Sequence, residues 1–75
     1  MIEVRIGRCL LKDLLNKRKM TQQQLADLTG INKGQINEYI SGKRQTMTLM
    51  TAMKISTVLN CHIEDLFAWK VIRKR

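Results

Sequence analysis

The stretch TGINKGQINEY, Thr29 to Tyr39, decides how the rest of the chain is read. An apolar-periodic segment ends at Gly30, the single apolar residue Ile31 follows, and a second periodic segment starts almost at once. The second segment sets Ile36, Tyr39 and Ile40 on one side, which predicts a short helix with those three turned inward. Lys33, Gly34, Gln35, Asn37, Glu38 and Ser41 are left for its outer side. In a chain rich in Lys and Arg, an outer face made mostly of neutral and acidic hydrogen-bonding groups calls for a reason.

Reading outward supplies one. Upstream, Thr21 stands three residues before Gln24, the spacing of a capping box, in which each side chain satisfies an amide that the start of a helix leaves unpaired. Leu25, Ala26 and Leu28 then share a face, and Gly30 stops this helix in the left-handed conformation that glycine adopts at little cost. Asn32 caps the next helix, which runs to about Ser41 before Gly42 ends it. Two short helices joined through Gly-Ile-Asn form a helix-turn-helix signature. Ala26 is small where the two helices pass closely, and Ile31 plugs the angle between them. A helix laid in the major groove needs donors and acceptors on its outer face to read base edges, while Lys and Arg belong around it, on phosphates.

The flanks extend the helical pattern. Leu10, Leu11, Leu14 and Leu15 predict a first helix from about Ile6 to Lys17, with the cations Lys17 to Lys19 at its C-terminal end, where the macrodipole favours them. Thr48 caps a fourth helix, Leu49 to Leu59, with Leu49, Ala52, Ile55, Ser56 and Leu59 inward, and Asn60 is its left-handed stop. Ile63 to Phe67 make a short fifth helix, and Ala68 to Arg75 read as its continuation or as a frayed basic tail. With no proline and no Gly/Ser linker, the predicted fold class is all-α. Residues 1–67 form one helix-turn-helix DNA-binding domain in this reading, and residues 68–75 a basic C-terminal tail.

Charge bounds the partner. Fourteen Lys and Arg against six Asp and Glu give +8, which points to a polyanion. Six of the cations precede residue 20, and Lys43-Arg44 and Arg73 to Arg75 form further clusters. Cys9 and Cys61 lack CxxC spacing, and no apolar run reaches membrane-spanning length, so a reduced cytoplasmic protein without membrane contact is expected. Cys61-His62 has no further ligand pair at zinc-site spacing, which predicts no metal, and nothing implies a cofactor. Without a Ser/His/Asp set, a paired-carboxylate site or a phosphate loop, the chain is not expected to be an enzyme.

The segment MTQQQLADLTGINKGQINEYISGKR resembles the core of the Cro/CI-type helix-turn-helix domains of phage and bacterial repressors, with its Thr-Gln-x-x-Leu-Ala start, Gly-apolar turn and terminal Gly-Lys-Arg. LNCHIEDLF resembles that family's closing segment. The resemblance implies a compact five-helix bundle with the helix-turn-helix at helices 2 and 3, and a transcriptional regulator, a repressor above all, bound as a dimer to a palindromic double-stranded operator. It places Lys33, Gly34, Asn37 and Glu38 on bases, and Thr21, Gln22, Gln35, Ser41, Lys43 and Arg44 on the DNA backbone. Departures from the family's pattern fall at Leu15 and Ile40, where an Arg–Glu pair is usual, and at Asn60 and His62.

Met50 and Val58 fall off the inward face of the fourth helix, and with Phe67, Trp69, Val71 and Ile72 they suggest either a homodimer surface, at Met50, Val58, Phe67 and Trp69, or packing of the tail. A rival reading from another class is an antitoxin-type interaction module that sequesters a protein partner and autoregulates its operon. A protein antagonist of the regulator is a related expectation.

Overall fold

The computed structural model describes residues 1–74. In chain order they form β1 (Ile2–Cys9), α1 (Leu11–Arg18), α2 (Gln22–Thr29), α3 (Lys33–Ser41), α4 (Leu49–Leu59), a 3-10 turn (Ile63–Leu66) and β2 (Phe67–Arg73). The two strands pair antiparallel, with Val4 opposite Val71 and Ile6 opposite Trp69. The fold is therefore four α-helices with a two-stranded sheet. This corrects the all-α, five-helix expectation at both ends of the chain.

The correction has a local cause and a non-local one. Ile2, Val4 and Ile6 alternate with Glu3, Arg5 and Gly7, a period of two that suits a strand, so the first helix starts at Leu11 rather than near Ile6. Likewise Trp69 and Val71 alternate with Ala68 and Lys70, and residues 67–73 continue as strand, neither helical nor frayed. Each strand lies beside the other only because the helical core brings the chain ends together. Leu10 N–H donates to the Leu66 carbonyl at 2.8 Å, which fixes the base of the sheet to the core.

The pairing register shifts between Ile6 and Cys9, the mark of a bulge in β1. Gly7 sits in that bulge, and a Cβ there would stand 2.6 Å from the backbone oxygen of Ala68. Only glycine fits this approach without moving the partner strand.

The helical signals act as expected from local chemistry. Thr21 Oγ1 accepts from Gln24 N–H at 3.0 Å while Gln24 Oε1 accepts from Thr21 N–H at 2.9 Å, so the capping box is complete. Asn32 and Thr48 cap α3 and α4, and Gly30, Gly42 and Asn60 end α2, α3 and α4 with positive φ. The core is built from Leu11, Leu15, Leu25, Ile36, Tyr39, Ile55, Leu59, Leu66 and Phe67, with Ala26 and Ala52 where helices pass closely. Burying six large aliphatic side chains completely is worth about 1.5–3 kcal/mol each before entropy is counted.

Two inward assignments fail. Leu28 and Leu49 are exposed, Leu49 at 71%. Leu49 opens α4, one residue after its cap, where the helix has not yet met the core.

Candidate nucleic-acid interface

The turn that orients α3 is built from its own residues. Gly30 takes φ 75°, its N–H donates to the Ala26 carbonyl at 2.8 Å, and Thr29 Oγ1 accepts from Ile31 N–H at 3.2 Å. Ile31 is half-buried against the core, so the bend between α2 and α3 is held from inside. Ile36 and Tyr39 then lock α3 down, leaving Lys33, Gly34, Asn37 and Ser41 exposed and Gln35 and Glu38 partly covered.

The outward residues divide by what their side chains already do. Among the described residues, Lys33, Asn37 and Gln22 make no side-chain hydrogen bond, so their donors and acceptors are open. Gln35 Nε2 donates to the Tyr39 hydroxyl at 3.0 Å, which braces it along the helix. Ser41 Oγ donates to the Glu38 carbonyl at 3.2 Å, and the Thr21 hydroxyl serves the cap of α2. Asn32 Oδ1 accepts from Gly34 N–H at 2.7 Å. A Cβ on residue 34 would come within 2.9 Å of that oxygen, a contact that a small shift of the Asn32 side chain relieves.

Glu38 is engaged most heavily. Its carboxylate accepts from Arg44 Nε at 3.0 Å and lies 3.7 Å from Lys43 Nζ. Arg44 N–H also donates to the Glu38 carbonyl at 3.1 Å, so the loop after α3 folds back onto it. The Arg44 hydrogen bond and the charges of Arg44 and Lys43 hold the Glu38 carboxyl below its ordinary 4.5. Glu38, Lys43 and Arg44 are thus one cluster at the C-terminal end of α3. Sequence reasoning treated them separately, although their six-residue spacing across a glycine stop allows the contact.

Of the four residues read as a dimer surface, Phe67 and Trp69 stand together on β2, while Met50 and Val58 lie on α4. Phe67 is a core residue, 6% exposed, and Val58 is half-buried against the core near the end of α4. Met50 and Trp69 are exposed. Trp69 is nevertheless fixed: its indole N–H donates to the Glu64 carbonyl at 3.0 Å, and its ring meets Phe67 edge-on at 6.0 Å.

Elsewhere, Asp13, Lys17, Arg18, Cys61, His62 and Asp65, together with Leu10 and Leu14, line an open cleft of mixed polar and apolar character. Burial and the nearby Asp65 push the Cys61 thiol up, so it stays protonated at neutral pH. No group of three His, Cys, Asp or Glu side chains among the described residues is placed to hold a metal ion. No described helix is long and apolar enough to cross a membrane.

The comparisons with known proteins agree with this geometry. Residues 10–71 match the Cro/C1-type HTH DNA-binding domain family. The chain is 40% identical over 73 residues to the SPbeta prophage-derived uncharacterized HTH-type transcriptional regulator YopS of Bacillus subtilis (strain 168), covering 97% of this chain and 99% of that protein. It is 31% identical over 65 residues to YotL, a second such regulator of the same prophage and strain, covering 87% and 81%. Among solved structures it resembles the restriction-modification controller protein C.AhdI of Aeromonas hydrophila, with TM-score 0.69, 26% identity, and 76% of this chain and 85% of that one covered. It also resembles the transcriptional regulator VanUg, with TM-score 0.68, 25% identity, and coverage of 89% and 87%. A helix-turn-helix with an open polar recognition face, matched over residues 10–71, places the chain in the Cro/C1-type HTH DNA-binding family of transcriptional regulators.

Proposed function

We propose that the protein is a sequence-specific repressor that binds a near-palindromic double-stranded operator as a two-fold dimer. The observation that carries this reading is the composition of α3's outer face. Lys33 and Asn37 stand open on it, and the basic pair Lys43-Arg44 follows directly after its end. In this reading Lys33, Gly34, Asn37 and Glu38 face base edges, where Lys suits guanine O6 and N7, and Asn suits adenine N6 and N7. Thr21, Gln22, Gln35, Ser41, Lys43 and Arg44 lie toward the phosphates, which set register and supply most of the non-specific affinity.

A single recognition helix reads too few base pairs to find one site in a genome, which favours two copies on two half-sites. Repression fits a DNA-reading unit that acts by occupying its operator. The prophage regulators among its relatives fit the same role. Selection of bound sequences from a random duplex pool tests the reading. The expected result is an inverted repeat with half-site centres about one helical turn apart, ~34–36 Å. A motif without two-fold symmetry would overturn the dimeric part, and no enrichment at all would overturn sequence-specific binding.

A further inference from the structure

The sheet is patterned for burial and yet lies open. Residues directly opposite on paired strands share a face, so Val4 with Val71 and Ile6 with Trp69 form one apolar side. The reverse side carries Glu3, Arg5 and Lys70, with Glu3 and Arg5 joined at 2.7 Å and the half-buried Ile72 opposite Glu3 as its one large apolar member. Such alternation belongs to a sheet with one covered face. Here only the base, at Phe67, is covered, while Val4 and Val71 remain 56% and 53% exposed. β1 has extensive contact with β2 alone, and the molecule is elongated, 45 × 23 × 21 Å. An isolated two-stranded hairpin is marginal in water and needs further strands or a helix against its apolar face.

The exposed face continues into a groove of about 420 Å³ between the sheet and the start of α4. Val4, Ile6, Trp69 and Leu49 line it, together with the floor residues Ala52 and Leu66. Trp69 is anchored there by its bond to Glu64, so the groove is already shaped.

We propose that this face is the homodimer interface: two copies pack their β1–β2 sheets face to face across a two-fold axis, each placing apolar side chains against the other's groove. This deepens the two-fold reading above, and rests on it, by naming the surface. Three features favour a second copy as the occupant. The middle of the patch, Val4, Val71, Ile6 and Trp69, is neutral and apolar, and Arg73 joins this side only at its far end, opposite Ile2, so two positively charged chains can meet there with few like charges in the contact. Antiparallel strands with matched apolar residues are self-complementary under a two-fold axis, as an isologous contact requires. The exposed area of Ile2, Val4, Ile6, Leu49, Trp69 and Val71 is on the order of 500–600 Å² per protomer, so a pair would bury about 1,000 Å² or more, the lower bound for a specific interface.

The experiment is sedimentation of the full chain without DNA across micromolar to millimolar concentration, with Trp69 fluorescence read in parallel. Wild type is expected to self-associate, with a blue shift of the sole tryptophan as protomers pair. Val4→Glu is expected to weaken association by roughly a hundredfold, because it buries an unpaired carboxylate at the contact. Leu49→Glu should do the same, and it lies outside the sheet, in a helix first turn where an acid is favourable, so misfolding would not explain its effect. Leu28→Glu, on an exposed apolar residue of α2, should leave association unchanged. A wild type that stays monomeric throughout overturns both the interface and the free dimer, while helix-turn-helix binding is judged separately by the selected motif. A dimer unaffected by Val4→Glu and Leu49→Glu overturns the interface and leaves the two-fold reading standing.

Discussion

Glu38 and Arg44 are joined twice, by a 3.0 Å bond from the guanidinium to the carboxylate and by a 3.1 Å bond from the Arg44 amide to the Glu38 carbonyl. The carboxylate on α3 therefore holds the loop that follows it, the loop that grips the phosphates in the proposed reading. Under the proposed function, affinity and sequence preference would be coupled at this point, and single substitutions there would not separate them cleanly.

Glu38→Ala is expected to raise affinity for unrelated duplexes a few-fold, since it removes a charge repelled by phosphates and releases Arg44 and Lys43. The same change should cost roughly 1–3 kcal/mol on the preferred operator and relax choice at one base position. Fluorescence anisotropy on operator and random duplexes measures both. A selected motif identical to wild type at every position would show that Glu38 serves only the loop.

Lys33 has no internal partner to lose. Lys33→Ala should therefore change operator preference, by about 1–3 kcal/mol at one base pair, without moving thermal stability. A uniform loss across all duplexes would reassign Lys33 to the phosphate backbone.

Arg44→Ala should weaken all sequences and lower the salt slope by about one unit. In wild type, affinity should fall on the order of a thousandfold between low and physiological salt if several phosphates per dimer are engaged. Titrating salt against anisotropy gives both slopes. A flat wild-type curve would remove the electrostatic argument altogether.

The same ion pair has a pH signature. The folded Glu38 carboxyl titrates below 4.5, so the pair contributes its stability above that value and loses it as pH falls through the depressed folded value. NMR titration of the Glu38 side chain should show the lowered midpoint in wild type and a return toward 4.5 in Arg44→Ala. An unchanged midpoint in the variant would mean that Arg44 is not its cause.

Gly7→Ala tests the sheet as part of the fold. The added Cβ meets a backbone oxygen at 2.6 Å and cannot be relieved by rotating a side chain. A cost of about 1–3 kcal/mol follows, lowering Tm by roughly 4–24 °C in a domain of this size. A melting curve that matches wild type would mean that the strands separate there without cost.

The sequence alone determined the helix-turn-helix, because its signals are local. A Thr-x-x-Gln cap, an Asn cap and glycines at left-handed stops act within a few residues of themselves, so Thr21, Asn32, Gly30 and Gly42 are read directly from the chain. The outer face of α3 followed from the same spacing. The strands did not, although the alternation of Ile2, Val4 and Ile6 was there to be seen. A strand becomes a sheet only when its partner arrives, and here Ile6 waits for Trp69 across the whole helical core. Cross-strand pairing, the burial of Phe67 and the exposure of Leu49 depend on where the packed helices deliver the two chain ends. That is set by the sum of contacts through the core, which no short window of sequence contains.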